Sequence, residues 1–174
     1  MENINNKKNI MKFKSILIVN VLLLAFCPII HAQTNEKKGE QPMKEVCEFL
    51  KACGHYFIAT VDGDQPHVRP FGTAAIFENK LYIQTGKRKK VAKQMMANPK
   101  IEICAYNATK GQWLRIEATV TPDERIEAKQ FMLDEYPSLK SMYAANDDNT
   151  FVLYLENVTA TFNSFSDEPR VVKF

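Results

Sequence analysis

The chain has 174 residues, 45% of them hydrophobic and 25% charged, with a formal net charge of +3. That suits one globular domain with an apolar core, preceded by a leader. The excess charge sits at the start: residues 1–32 hold Lys7, Lys8, Lys12 and Lys14 against Glu2, and removing these from the 23 basic and 20 acidic residues leaves 19 of each sign, which argues against a bulk binder of nucleic acid or of an anionic membrane surface.

Residues 1–32 have the form of a secretory signal peptide: a basic start, an apolar run from Ile16 to Ile30 and a small residue at Ala32. The run is too short for a spanning helix. Met11 is an alternative start. A lipoprotein signal at Cys27 would want a small residue where Phe26 stands, and an uncleaved anchor is a further alternative. The mature protein is therefore expected to be exported, into a periplasm. Residues 33–42 are polar and read as a flexible linker, leaving 43–174 as the folded domain. Of the remaining cysteines, Cys47 and Cys53 are about 9 Å apart along a helix, too far for a disulfide. Buried free thiols are the simplest reading of Cys47, Cys53 and Cys104, with a reactive thiol as the alternative.

From Met43 to Cys53, Val46, Phe49, Leu50 and Cys53 recur at helical spacing, and Gly54 ends that helix. Tyr56–Val61 is a strand, turned back at Asp62-Gly63-Asp64. Alternation runs from Val68 to Phe77, followed by a turn at Glu78-Asn79-Lys80 and a strand carrying Leu81 and Ile83. Thr85 or Gly86 would cap a helix that starts with Lys87-Arg88-Lys89-Lys90 and ends at Asn98-Pro99. Lys100–Tyr106 and Gln112–Thr121 alternate as two further strands. Pro122-Asp123 opens a helix with Ile126, Gln130 and Leu133 on one side, and a shorter helical piece follows Pro137. Thr150–Phe162 gives one or two strands, and the tail from Ser164 to Phe174 has no clear period. Six or so hairpin-linked strands with peripheral helices make a small antiparallel barrel.

Four cations at a helix start oppose the helix dipole, at roughly 0.3–1 kcal/mol each, with no neighbouring acid in sequence. Free backbone N–H groups, a Thr hydroxyl and these cations would suit a phosphate; a solvated basic turn is the plain alternative. Arg69, mid-strand beside Pro70, is a bidentate partner for phosphate or a ring carbonyl, or else half of a surface ion pair. Pro70 lacks a ladder donor and puts its strand at an edge. Gly72 permits close approach of a flat ligand. Trp113 and Arg115 share a strand face that suits a ring with anionic or carbonyl edges, or they simply pack on each other. His55 and His67 are isolated, and Asp123, Glu124 and Glu127 read as helix N-terminal charges. The chain contains no nucleophile elbow, Walker loop, dinucleotide glycine pattern or zinc motif.

The runs Tyr56–Pro66, Val68–Gly72, Leu81–Thr85, Lys90–Met95, Asn98–Ile103 and Trp113–Ile116, in this order and spacing, resemble the pyridoxamine 5′-phosphate oxidase-related family of FMN-binding split barrels. The resemblance covers most of residues 43–162. It implies a six-stranded antiparallel split β-barrel and a homodimer with FMN at the subunit interface. Arg69, Lys90 and Thr85 would hold the phosphate. Pro70, Phe71, Gly72, Ile83 and Gln84 would lie along the flavin, mostly through their backbone, and Trp113 and Arg115 would close the site from the partner chain. Authentic pyridoxamine phosphate oxidases carry a C-terminal Trp- and Arg-containing motif. Here the chain ends Asp167-Glu168-Pro169-Arg170-Val171-Val172-Lys173-Phe174, so that substrate is not expected. The family also holds reductases and binders of haem or deazaflavin. The expectation is a flavin-dependent oxidoreductase, with a non-catalytic periplasmic binder of flavin or haem, using His55 or His67, as the alternative.

Overall fold

A computed structural model describes residues 40–174; the expected signal peptide and the linker up to residue 39 lie outside the described residues. Helix α1 spans Glu40–Cys53 and buries Met43, Val46, Cys47 and Leu50 at i, i+3, i+4 and i+7. It takes in residues 40–42, assigned from sequence to the linker. Its stripe also shifts: Cys47 goes in, its thiol donating to the Ala74 carbonyl at 3.6 Å, while Phe49 and Cys53 are only partly buried. Gly54 ends the helix at φ +69°, where a side chain would be strained.

Strands β1 (Tyr56–Asp62) and β2 (Gln65–Phe71) form a hairpin. Strands β3 (Ala75–Phe77) and β4 (Lys80–Gly86) form a second one, turned by Glu78 and Asn79, both at positive φ. Helix α2 (Lys90–Ala97) leads into β5 (Lys100–Asn107), which pairs with β6 (Gln112–Asp123). Helix α3 (Ile126–Glu135) and a 3₁₀ stretch at Pro137–Ser141 precede the long β7 (Thr150–Ser164) and the short β8 (Arg170–Lys173).

Among the described residues these are eight strands in one antiparallel sheet, not six. The order is β2-β1-β5-β6-β7-β4-β3, with β8 pairing β7 outside this path. The expected single strand from Val68 to Phe77 is broken at Gly72–Ala74, and the tail read as aperiodic supplies β8. The break is what makes the barrel. β2 and β3 are the two ends of the sheet path, yet three residues join them, so the sheet must curl until its ends meet. The path is not closed by hydrogen bonds between β2 and β3; side chains serve the link instead. Tyr56 Oη donates to Thr73 O (2.5 Å), and Tyr136 Oη both donates to Ala74 O and accepts from Ala74 N (2.8 Å each). Thr73 Oγ1 accepts from Gln84 N at 2.9 Å. A buried link without ladder partners would otherwise leave these groups unpaired.

The barrel interior is filled by Ile58, Leu81, Ile83, Ile103, Leu114 and Ile116, with α1 and α2 packed against it. A second cluster, with Tyr82, Val152 and Met132, lies beneath α3. The helix expected from Pro122-Asp123 begins later, because both residues stay paired with Leu153 and Val152 on β7. α3 buries Ala128, Lys129, Met132 and Leu133, leaving Ile126 exposed. Among the described residues no helix is long and apolar enough to cross a membrane.

Candidate functional site

The barrel link and the C-terminal end of β4 meet the 3₁₀ stretch around a cavity of about 370 Å³. Of the residues singled out from sequence, Arg69, Pro70, Phe71, Gly72, Gln84 and Thr85 line it. Alternation along β4 sends Ile83 into the barrel core, fully buried, and Gln84 to the opposite face. Ile83, expected along the ring, is therefore a core residue and is not among those lining the cavity. Gln84 is 5% exposed, and neither its amide oxygen nor its amide nitrogen has a partner among the protein's own groups. Unmade hydrogen bonds of this kind cost about 1–3 kcal/mol, so this amide is the least satisfied polar group beside the cavity.

Arg69 projects from the sheet edge onto the inner face, beside Ile58. Its guanidinium donates to Thr60 Oγ1 and Gln94 Oε1 (2.6 Å each) and to the carbonyls of His67 (3.2 Å) and Ile58 (3.4 Å). All four acceptors are neutral, and burial lowers its pKa. The ion pairs among the described residues include neither Arg69 nor Lys89, which also lines the cavity. The surface ion pair considered for Arg69 is thus not formed. The lining contains two uncompensated cations and no carboxylate.

The basic run is arranged differently from its expected form. Thr85 and Gly86 remain in β4, paired with Phe151 and Thr150, and do not cap α2. The cap position is Lys89, with no side-chain capping bond, so only Lys90 is helical. The turn's amides are taken by the protein: Lys87 N and Arg88 N donate to the carbonyl (2.7 Å) and side chain (3.1 Å) of Asn149, and Lys89 N donates to Gly86 O (3.0 Å). Lys87 is paired with Glu124 at 2.8 Å, an acid distant in sequence that offsets its charge. Lys90 faces an adjacent hollow with Lys93, Gln94 and Asp62. Lys89, not Lys90, is the cation of this run that lines the cavity. Counting back from the buried stripe Val91, Ala92, Gln94 and Met95 would have revealed that register.

Trp113 and Arg115 stand apart from the cavity. Arg115 lies opposite Cys104, which lies opposite Phe57, placing all three on the outer sheet face. Arg115 donates to Glu102 (2.5 and 2.7 Å), and Trp113 packs on Phe165 at 5.2 Å between ring centres. Phe57, Val68 and Tyr106 leave this face apolar, each more than half exposed. Cys104 is exposed, contrary to the buried-thiol reading, whereas Cys47 is buried and its pKa is raised by burial. Asp123 ends β6 two residues before the α3 cap Arg125, whose backbone N–H donates to it at 3.0 Å. Asp123 is buried, accepts from Tyr82 Oη (2.8 Å) and from Arg125, and Arg125 chiefly holds its pKa down to about 2.

Sequence reasoning missed the opposite wall of Tyr136, Ser138, Leu139, Met142 and Tyr143; His55, named from sequence for the haem alternative, lies at the corner, and His67 does not line the cavity. Pro137 was the one local signal there. Gly72 is needed for this packing, since a Cβ would lie 3.3 Å from Gly54 O and 3.5 Å from the His55 ring. A larger cleft of about 540 Å³ between α1 and β7 contains none of the expected site residues. Among the described residues no group of three or more His, Cys, Asp or Glu could hold a metal ion.

Residues 42–136 match the family model described as Pyridoxamine 5'-phosphate oxidase. The chain belongs to the pyridoxamine 5′-phosphate oxidase family. Its relatives of known structure include a NimC/NimA family protein from Clostridium acetobutylicum, 44% identical, with TM-score 0.77, covering 83% of this chain and 100% of that one. General Stress Protein 26 from Bacillus anthracis is similar in fold at 15% identity and TM-score 0.60, covering 77% of this chain and 99% of the other. So is HutZ, described as the haem storage protein from Vibrio cholerae, at 16% identity and TM-score 0.52, covering 65% and 87%. No curated protein matches the chain. The eight-stranded open sheet is thus the split barrel of the pyridoxamine 5′-phosphate oxidase family, and its cavity lies at the split.

Proposed function

We propose that the chain is an exported, homodimeric oxidoreductase that binds FMN in the cavity at the barrel split and passes hydride or electrons to or from a small molecule. The observation that carries the reading is Gln84. Its buried amide offers one acceptor and two donors to a ring edge that presents both kinds of group, as the imide edge of a flavin does. The other residues fit the same occupant. Arg69 and Lys89 would hold the phosphate, with Thr85 beside them. Pro70, Phe71 and Gly72 would lie along the ring.

When bound, FMN supplies the redox chemistry, and the protein supplies binding, orientation and electrostatics. Arg69 brings a planar, half-buried cation whose remaining donors are free to meet an anion, held by four neutral acceptors. Phe71, Val91 and Leu139 give the cavity apolar lining. Trp113 and Arg115, on the outer face, reach a site only if a second copy brings them there; the apolar surface of Phe57, Val68 and Tyr106 supports such pairing. The leader composition supports export, which requires the cofactor to be loaded before or after translocation.

A second reading, a haem-binding module, is favoured by His55 at the cavity corner. The experiment is the visible spectrum of the purified mature protein, followed by anaerobic titration with NADH and NADPH. Flavin bands that bleach support the oxidoreductase. Bound flavin that neither donor reduces counts against it, and a Soret band lost in His55→Ala favours haem.

A further inference from the structure

We infer that the segment Pro137–Tyr143 is the substrate wall of the cavity, and that it selects an uncharged planar ring compound over phosphorylated or cationic ones; this rests on FMN lying along the β2–β4 side. The wall is fixed at both ends. Tyr136 Oη grips the Ala74 backbone, and beyond Tyr143 the Asp147 carboxylate accepts from Ala144 N, Asn149 N and Thr150 N. Within it, Tyr143 N and Met142 N both donate to Leu139 O, at 3.0 and 2.9 Å.

The chemistry of the wall is neutral. Ser138, Leu139, Met142 and Tyr143 face the cavity, while the charged member, Lys140, is paired with Asp134 at 2.6 Å. Met142 is 64% exposed and packs into none of the three buried clusters, so it offers a flexible apolar surface at the mouth. The charge balance points the same way. Arg69 and Lys89 supply two positive charges, and a phosphate monoester carries about −1.5 to −2 at neutral pH. Once the cofactor phosphate is held, no lysine or arginine of the lining remains for a second phosphate. With no carboxylate in the lining, nothing there pairs with an ammonium group. A neutral ring packed between the flavin plane and Leu139 and Met142 leaves no charge unpaired.

The test uses the FMN-loaded protein under air and follows the flavin visible band while menadione or pyridoxal 5′-phosphate is added. Menadione is expected to saturate the spectral change at a concentration at least tenfold below that for pyridoxal 5′-phosphate. Met142→Lys is expected to weaken menadione at least tenfold, and Met142→Leu less than threefold, with flavin content measured in every sample. Tighter binding of pyridoxal 5′-phosphate, or menadione binding unchanged in Met142→Lys, with flavin retained, overturns the wall and leaves the cofactor reading standing. Absence of flavin from the wild-type protein overturns both.

Discussion

Replacing Gln84 by Met should raise the stability of the flavin-free protein and lower its affinity for FMN. The side chain is 5% exposed and both its polar atoms lack partners. Methionine keeps the length and removes the amide, so the cost of the orphaned groups disappears. The flavin-free variant should gain about 1–2 kcal/mol, roughly 3–8 °C in Tm for a domain of this size. With FMN the sign reverses. Two lost hydrogen bonds, each worth about 0.5–1.5 kcal/mol net, weaken binding about 5- to 150-fold. Differential scanning fluorimetry with and without FMN, and a fluorescence titration, read both effects on one preparation. A merely structural glutamine gives the opposite pair of results: a less stable variant with unchanged FMN affinity would refute the reasoning.

Lys89→Ala should reduce FMN affinity about tenfold, and Lys90→Ala less than threefold, because Lys89 lines the cavity and Lys90 the adjoining hollow; fluorescence titration giving the reverse order would move the phosphate to the Lys90 side. The Asp123 carboxyl is held at about 2, below its unfolded value near 3.9, so its contribution is present at neutral pH and lost as pH falls from about 5 towards 2. That contribution is at most about 2.5 kcal/mol, and Asp123→Asn should flatten the fall in urea midpoint over this range; an identical acid profile in the variant would contradict it.

Strands were the most legible part of the sequence. The alternation of Lys100–Tyr106 and of Gln112–Thr121 marks β5 and β6 to within two residues, since each has one face in the barrel. The break at Gly72–Ala74 was not legible. Alternation runs on through it, and the groups that hold it open come from Cys47, Tyr56 and Tyr136, distant in sequence. The same reason hid the α3 boundary, where Asp123 is kept in the sheet by Tyr82 and Arg125. At the site, Arg69 and Gly72 were singled out on their strand, whereas Phe71 and Gln84 came only from the family resemblance; all four line the cavity. The basic run was not legible, because its register depends on Asn149 and Glu124 reaching across from other elements. The far wall of the cavity gave no signal beyond Pro137, since its residues are ordinary in type and acquire a role only by facing β4.

Native mass spectrometry of the mature protein mixed with FMN tests the central claim most directly, because it weighs chain, copy number and cofactor together. The expected species is a dimer carrying two FMN molecules, with FMN released on denaturation and both copies emptied by Arg69→Ala. A protein that stays free of FMN at saturating concentration, or that retains it in full after Arg69→Ala, would contradict a flavin held at the barrel split.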